Sequence, residues 1–63
     1  MNDKLKALFT ELKTTTMLYT KIYHACSEYM TYEKKYVDEM KKLEREIEEI
    51  QLKIIGAVKE EDI

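Results

Sequence analysis

The residues best equipped for chemistry are concentrated in the middle of the chain. Five tyrosines, Tyr19, Tyr23, Tyr29, Tyr32 and Tyr36, fall within eighteen residues, and His24 and Cys26 lie among them. His24 and Cys26 are the only soft metal ligands, but an i, i+2 spacing puts them on nearly opposite sides of a helix. No second pair completes a structural zinc set, so neither a metal nor a cofactor is expected. Cys26 reads as a small apolar residue and His24 as a solvated one. Nucleophilic catalysis lacks a Ser-His-acid arrangement, and phosphate chemistry lacks a glycine-rich loop. Glu48 and Glu49 are paired acids on a charged surface, with nothing apolar nearby to raise a carboxyl pKa for acid-base work. The sequence therefore points away from an enzyme.

The tyrosines suit recognition better than catalysis, because a phenol offers a large, stiff contact area and a hydroxyl, and tyrosine is enriched at binding hot spots. Tyr19, Tyr29 and Tyr36 share the spacing of the apolar seam described below and are expected in a core. Tyr23 and Tyr32 flank that seam. With Met30 and Val37 they are the candidates for contact with a partner.

Positioning these residues falls to helices. The chain has 63 residues, 38% of them charged and 44% hydrophobic, with one glycine and no proline. That is a long-helix composition, far from disordered or disulfide-rich profiles. No apolar run exceeds three residues, which excludes a membrane span or a signal-peptide core and leads us to expect a soluble, cytoplasmic protein. A single cysteine cannot form an internal disulfide and fits a reducing compartment. The net charge of −2 conceals an asymmetry. Residues 1–32 carry four lysines against three acids, and residues 33–63 carry seven basic against ten acidic side chains. Mixed charge of this kind marks a solvated helical face and not a nucleic-acid footprint. The lysine column Lys6, Lys13, Lys34 and Lys41 is the nearest approach to such a footprint, and Glu48 interrupts it.

One heptad register, lettered a to g, runs through the chain without a skip. Positions a are Leu5, Leu12, Tyr19, Cys26, Glu33, Met40, Ile47 and Ile54; positions d are Leu8, Thr15, Ile22, Tyr29, Tyr36, Leu43, Ile50 and Ala57. Only Thr15 and Glu33 are frankly non-apolar. Over residues 17–37 the apolar surface broadens onto Tyr23, Met30 and Val37 at e and Ala25 and Tyr32 at g. Over 39–55 it narrows to a strict two-position seam flanked by Glu39, Glu44, Glu46 and Gln51. A parallel two-stranded coil would oppose Glu39 to Glu44, so three or four packed helices or an antiparallel arrangement is favoured. Pairs such as Lys35 with Glu39, Lys42 with Glu46, Arg45 with Glu49 and Glu49 with Lys53 support helix locally, at about 0.2–0.5 kcal/mol each.

The register predicts an all-α fold comprising a single 1–63 domain. Its preferred form is one long coiled-coil helix about 80 Å long over residues 3–55, assembling into a homo-oligomeric helical bundle. Such a helix would start at an Asn2 or Asp3 cap and end near Ile54 or Ile55 with Gly56 as a left-handed cap, leaving 57–63 as a frayed acidic tail. The expected oligomer interface is Leu5, Leu8, Leu12, Tyr19, Ile22, Cys26, Tyr29, Tyr36, Met40, Leu43, Ile47, Ile50 and Ile54. The alternative is an antiparallel helical hairpin that dimerises into a four-helix bundle. Its turn would fall near residues 27–35, around Thr31 and the seam-breaking Glu33, or at the Thr14-Thr15-Thr16 run. Neither site offers Gly, Pro or Asn, and neither supplies a capping box. Glu33 then reads either as a register-fixing polar seam residue or as a carboxylate in water where the seam opens.

These features imply a non-enzymatic protein-protein interaction module. It would be a small self-associating regulator, adaptor or inhibitor whose partners are other copies of itself and one larger protein. The alternatives are a purely structural coiled-coil assembly element, or an acidic helical inhibitor that mimics nucleic acid in an enzyme channel, as would suit a small protein of a mobile element.

Overall fold

The computed structural model of the chain describes residues 3–30 and 32–61. It holds two helices, α1 (Asp3–Glu28) and α2 (Lys34–Glu61), and no strand among the described residues. The helices pack against each other as a hairpin with extents of 48 × 15 × 12 Å. They run antiparallel. Lys4, near the start of α1, meets Glu60 near the end of α2, and Tyr19 reaches Glu44 midway.

The heptad pattern explains which faces meet. On α1 the sheltered side chains are Leu5, Leu8, Leu12, Thr15, Tyr19, Ile22 and Cys26, which step by three and four residues without interruption. On α2 they are Met40, Leu43, Ile47, Ile50, Ile54 and Ala57, joined by Val37, Glu39 and Glu46 on the flanks. Leu5, Leu8 and Ala57 form a buried cluster at the open end, and Ile54 packs on it. Continuing that register toward the turn brings a positions of one helix opposite d positions of the other, Leu12 facing Ile50 and Ile22 facing Met40. Each fully buried Leu or Ile contributes about 1.5–3 kcal/mol, which is what holds together two helices that would be marginal apart.

The single continuous helix is therefore corrected to a hairpin. A helix of 3–55 would leave the whole seam in water unless other chains supplied a cover. Folding back lets α2 cover α1 from a tethered distance, where closing a short loop is a modest entropic cost. Residues 29–33 make the connection. Tyr29 N still donates to Ala25 O at 3.1 Å, and Met30 then takes a left-handed conformation with φ 51°. That conformation ends a helix, and it is more often filled by glycine or asparagine. Glu28 in the last turn of α1, with no basic residue there, also weakens the helix at that point. Glu33 restarts the chain: its carbonyl accepts from Tyr36 N at 3.0 Å and Val37 N at 3.1 Å. Its side chain is exposed, so this a position belongs to the turn and not to a closed seam. Thr31 and the proposed Asn2 cap lie outside the described residues, and Asp3 is the acidic residue of the first turn of α1.

The threonine run stays helical. Thr10, Thr14, Thr15 and Thr20 each donate a hydroxyl to the carbonyl four residues back, at 2.9–3.0 Å. The bond from Thr15 to Glu11 O satisfies a polar group that would otherwise be buried unpaired at a d position.

The C-terminal expectation also changes. Gly56 is an interior residue of α2 with no positive φ, and the helix runs on to Glu61 where a frayed tail from residue 57 was predicted. Ala57, 2% exposed against Leu5 and Leu8, is the reason: its burial holds the last turns of α2 on the start of α1. A side chain at position 56 would meet nothing within 4 Å. Gly56→Ala should therefore raise stability by about 0.5–1 kcal/mol in a thermal or urea melt, where a left-handed cap would make it destabilising. Met30→Gly should give a gain of similar size, about 0.5–1 kcal/mol, by relieving the left-handed backbone at a side chain that packs on little.

Candidate interaction surface

The hairpin sorts the predicted site residues into three places. Most of the expected oligomer interface is covered from within the chain. Leu5, Leu8, Cys26, Leu43 and Ile50 are buried, and Leu12, Tyr19, Ile22, Met40, Ile47 and Ile54 are partly so. Tyr29 and Tyr36 depart from this pattern. Tyr29 lies past the end of α1 and is 73% exposed, while Tyr36 is exposed in the first turn of α2.

With Ala25 and Cys26, these two tyrosines line a shallow cavity of about 190 Å³ at the turn end. Its surface is apolar, and the Cys26 thiol at its base is only 1% exposed. Lys35 closes over this end from α2, with Nζ 4.9 Å from the Tyr36 ring centroid and 3.7 Å from Glu33 Oε2. Lys35 thus turns back to Glu33, and among the described residues no ion pair joins it forward to Glu39.

The partner-binding candidates are split. Met30 and Tyr32 project from the turn, 84% and 68% exposed, next to Tyr29. Tyr23 stands exposed on α1, one turn beyond Tyr19, with their rings stacked at a centroid distance of 6.4 Å and an interplanar angle of 22°. The His24 ring lies edge-on to Tyr23 at 6.3 Å. Val37 is half-buried and serves the hairpin as much as any partner. Cys26 points into the seam and His24 outward, so the two do not converge. Among the described residues no three His, Cys, Asp or Glu side chains group closely enough to hold a metal. The lysine column is also divided, Lys6 and Lys13 toward the open end of α1 and Lys34 and Lys41 toward the turn end of α2.

Two polar contacts across the helices were not anticipated. Tyr19 Oη donates to Glu44 Oε1 at 2.9 Å, and Lys4 Nζ lies 3.3 Å from Glu60 Oε2. Lys4 and Glu60 both occupy g positions, which face each other only when the strands of a coil run antiparallel. Their opposite charges were the available signal for strand direction. Tyr19 shows how a tyrosine serves a seam: its ring is sheltered and its hydroxyl crosses to a flanking acid at e.

The Glu44 carboxylate, accepting that hydrogen bond, holds the Tyr19 phenol above its ordinary value of 10.0; partial burial and the charges of Glu44 and Tyr23 act in the same direction. The folded-state value is raised above the unfolded one. The stabilisation is therefore complete below the ordinary phenol range and is lost as pH rises through the folded value. In an alkaline titration followed by NMR of labelled tyrosine, Tyr19 should ionise above 10.0, and Glu44→Gln should lower its midpoint by removing the charge.

No helix among the described residues is long and apolar enough to cross a membrane. No protein-family model matches this chain, and neither does any curated protein or solved structure compared with it.

Proposed function

We propose that the chain is a non-enzymatic protein-protein interaction module, a small self-associating helical regulator, adaptor or inhibitor that engages a larger protein through its turn end. One observation carries this reading. Tyr29, Met30 and Tyr32 stand 73%, 84% and 68% exposed on a single short connection, where a hairpin needs only small polar residues. Exposed aromatic and methionine side chains clustered at one tip are out of place on a surface that only meets water. They supply contact area with few rotors to freeze, together with a flexible thioether able to fit an uneven partner. Tyr23 extends the cluster along α1. A single sheltered cysteine suits the reducing, cytoplasmic setting in which such a module would act.

The two helices form a hairpin 48 Å long that carries this tip at one end, so recognition needs no large core of its own. Capture from a lysate of the native host, followed by mass spectrometry, is the test. The wild-type hairpin should retain one larger protein in stoichiometric amount. Tyr32→Ala combined with Tyr23→Ala should weaken that capture by roughly 30-fold, as loss of about 2 kcal/mol at a hot spot implies, with helicity by circular dichroism unchanged. Equal recovery by the wild type and the double variant would sink the reading.

A further inference from the structure

The two long flanks of the hairpin differ in kind. In an antiparallel pair the e positions of both helices share one flank and the g positions share the other. The g flank carries Lys4, Glu11, Glu39, Glu46, Lys53 and Glu60, with Leu18 and Ala25 as its apolar members within the helices. The e flank carries Phe9, Thr16, Tyr23, Val37, Gln51 and Val58, with Glu44 its one ionised member within the helices, already engaged by Tyr19. Phe9 and Val58 are exposed there at the open end of the hairpin, and Ile55 stands exposed at the adjoining b position of α2.

The area left in water is large for the mass. A compact protein of 7.6 kDa exposes about 4,300 Å² by the usual scaling of surface with mass, whereas this chain exposes 5177 Å². The excess of about 900 Å² is close to the roughly 800 Å² that each partner contributes to a stable interface. A rod-shaped hairpin has its surplus on its faces, and of the two flanks the e flank is the more apolar, with Phe9, Tyr23 and Val58 exposed along it.

We propose that the e flank docks a second copy of this chain, giving a two-fold symmetric dimer of hairpins packed as a four-helix bundle. The inference rests on the self-association within the proposed function and assigns it a surface. A self-complementary patch is what two-fold symmetry requires, since each copy presents the same residues to the other. The e flank meets that condition more readily than the g flank, because Glu44 is its one charge within the helices and that carboxylate is held by the Tyr19 hydroxyl. On the g flank the same operation would bring acids against acids around Glu39 and Glu46 or demand an exact alternation with Lys4 and Lys53. Bundle packing also covers the apolar side chains that one partner helix cannot reach.

Sedimentation equilibrium over a wide concentration range tests this. The wild-type chain should give twice its 7.6 kDa mass, with a melting temperature that rises with protein concentration. Phe9→Lys with Val58→Lys should return the mass to that of one chain. Both side chains are exposed in the single hairpin, so helicity at low temperature should persist. Leu18→Lys, an equally exposed apolar position on the g flank, should leave the dimer intact. A wild-type chain that stays monomeric at hundreds of micromolar overturns the proposal, as does a dimer dissociated by Leu18→Lys but not by the e-flank pair. Neither result touches the turn-end tyrosines. Tyr23 belongs to both surfaces, so partner capture is separated from dimerisation by Tyr32→Ala alone, which lies off the e flank.

Discussion

The apposition of two apolar seams is the constraint on which every other feature of this molecule depends. α1 and α2 are long enough to be helical by local preference, but an isolated helix in water is marginal and a seam of Leu, Ile and Tyr left uncovered is worse than marginal. Covering it from within the same chain resolves both problems at once. The polar contacts between the helices play a smaller part. Lys4 and Glu60 are exposed, and such a pair contributes at most about 1 kcal/mol in water. They agree with the strand order without setting it: the connection between Glu28 and Lys34 is too short to span a helix length, so it imposes the antiparallel arrangement in which these two residues meet. Tyr19 adds registration at mid-length, because its hydroxyl reaches Glu44 only when the two helices are in the right phase.

The turn shows how firmly that constraint is applied. Nothing in residues 29–33 is a strong turn former, and Met30 occupies a backbone region where a side chain is strained, at a cost of about 1–3 kcal/mol. Glu28 opposes the α1 dipole at the same place. A chain tolerates such a connection when burial along the arms exceeds the strain at the bend. Ala57 makes the same point at the other end, where a small side chain packed on Leu5 and Leu8 carries α2 through a glycine that local preference would have used as a stop.

Much of this was legible in the sequence, and the part that was not has a definite physical origin. Residue spacing leaves Glu33 open between a polar seam residue and a carboxylate in water, but helix and the seam positions from Leu5 to Cys26 and from Met40 to Ile54 follow from it. The bend does not. Seven-residue periodicity is a local property of each helix, so an unbroken count across residues 29–33 carries no information about whether the chain is straight there. The usual punctuation of Gly, Pro or a capping box is missing, and left-handed methionine has no sequence signature. Gly56 misled in the opposite direction, since a lone glycine marks a helix end only when no tertiary contact lies beyond it. The candidate surface was half legible: Met30 and Tyr32 were singled out for excess aromatic and apolar area and do lie exposed at the tip, but Tyr29 was assigned to a seam that had already ended.

The same geometry separates the surfaces available to the chain. Once the seam is closed, a hairpin of this kind retains two flanks, two outer faces and a tip, and each is set by different heptad letters. Outer positions such as Arg45 and Glu49 need only remain solvated. The flanks differ in chemistry, the e side being the more apolar and the g side the more charged. The tip is free of the seam's duty, because residues beyond the last sheltered side chains, Cys26 and Val37, bear little packing load. Large exposed side chains can therefore accumulate at 29–32 without disturbing the helices. Tyr23 is the one position at which these roles touch, since it belongs to the e flank by register and to the aromatic cluster by its stack on Tyr19. Beneath it the Tyr19–Glu44 bond ties the same stretch of α1 to α2.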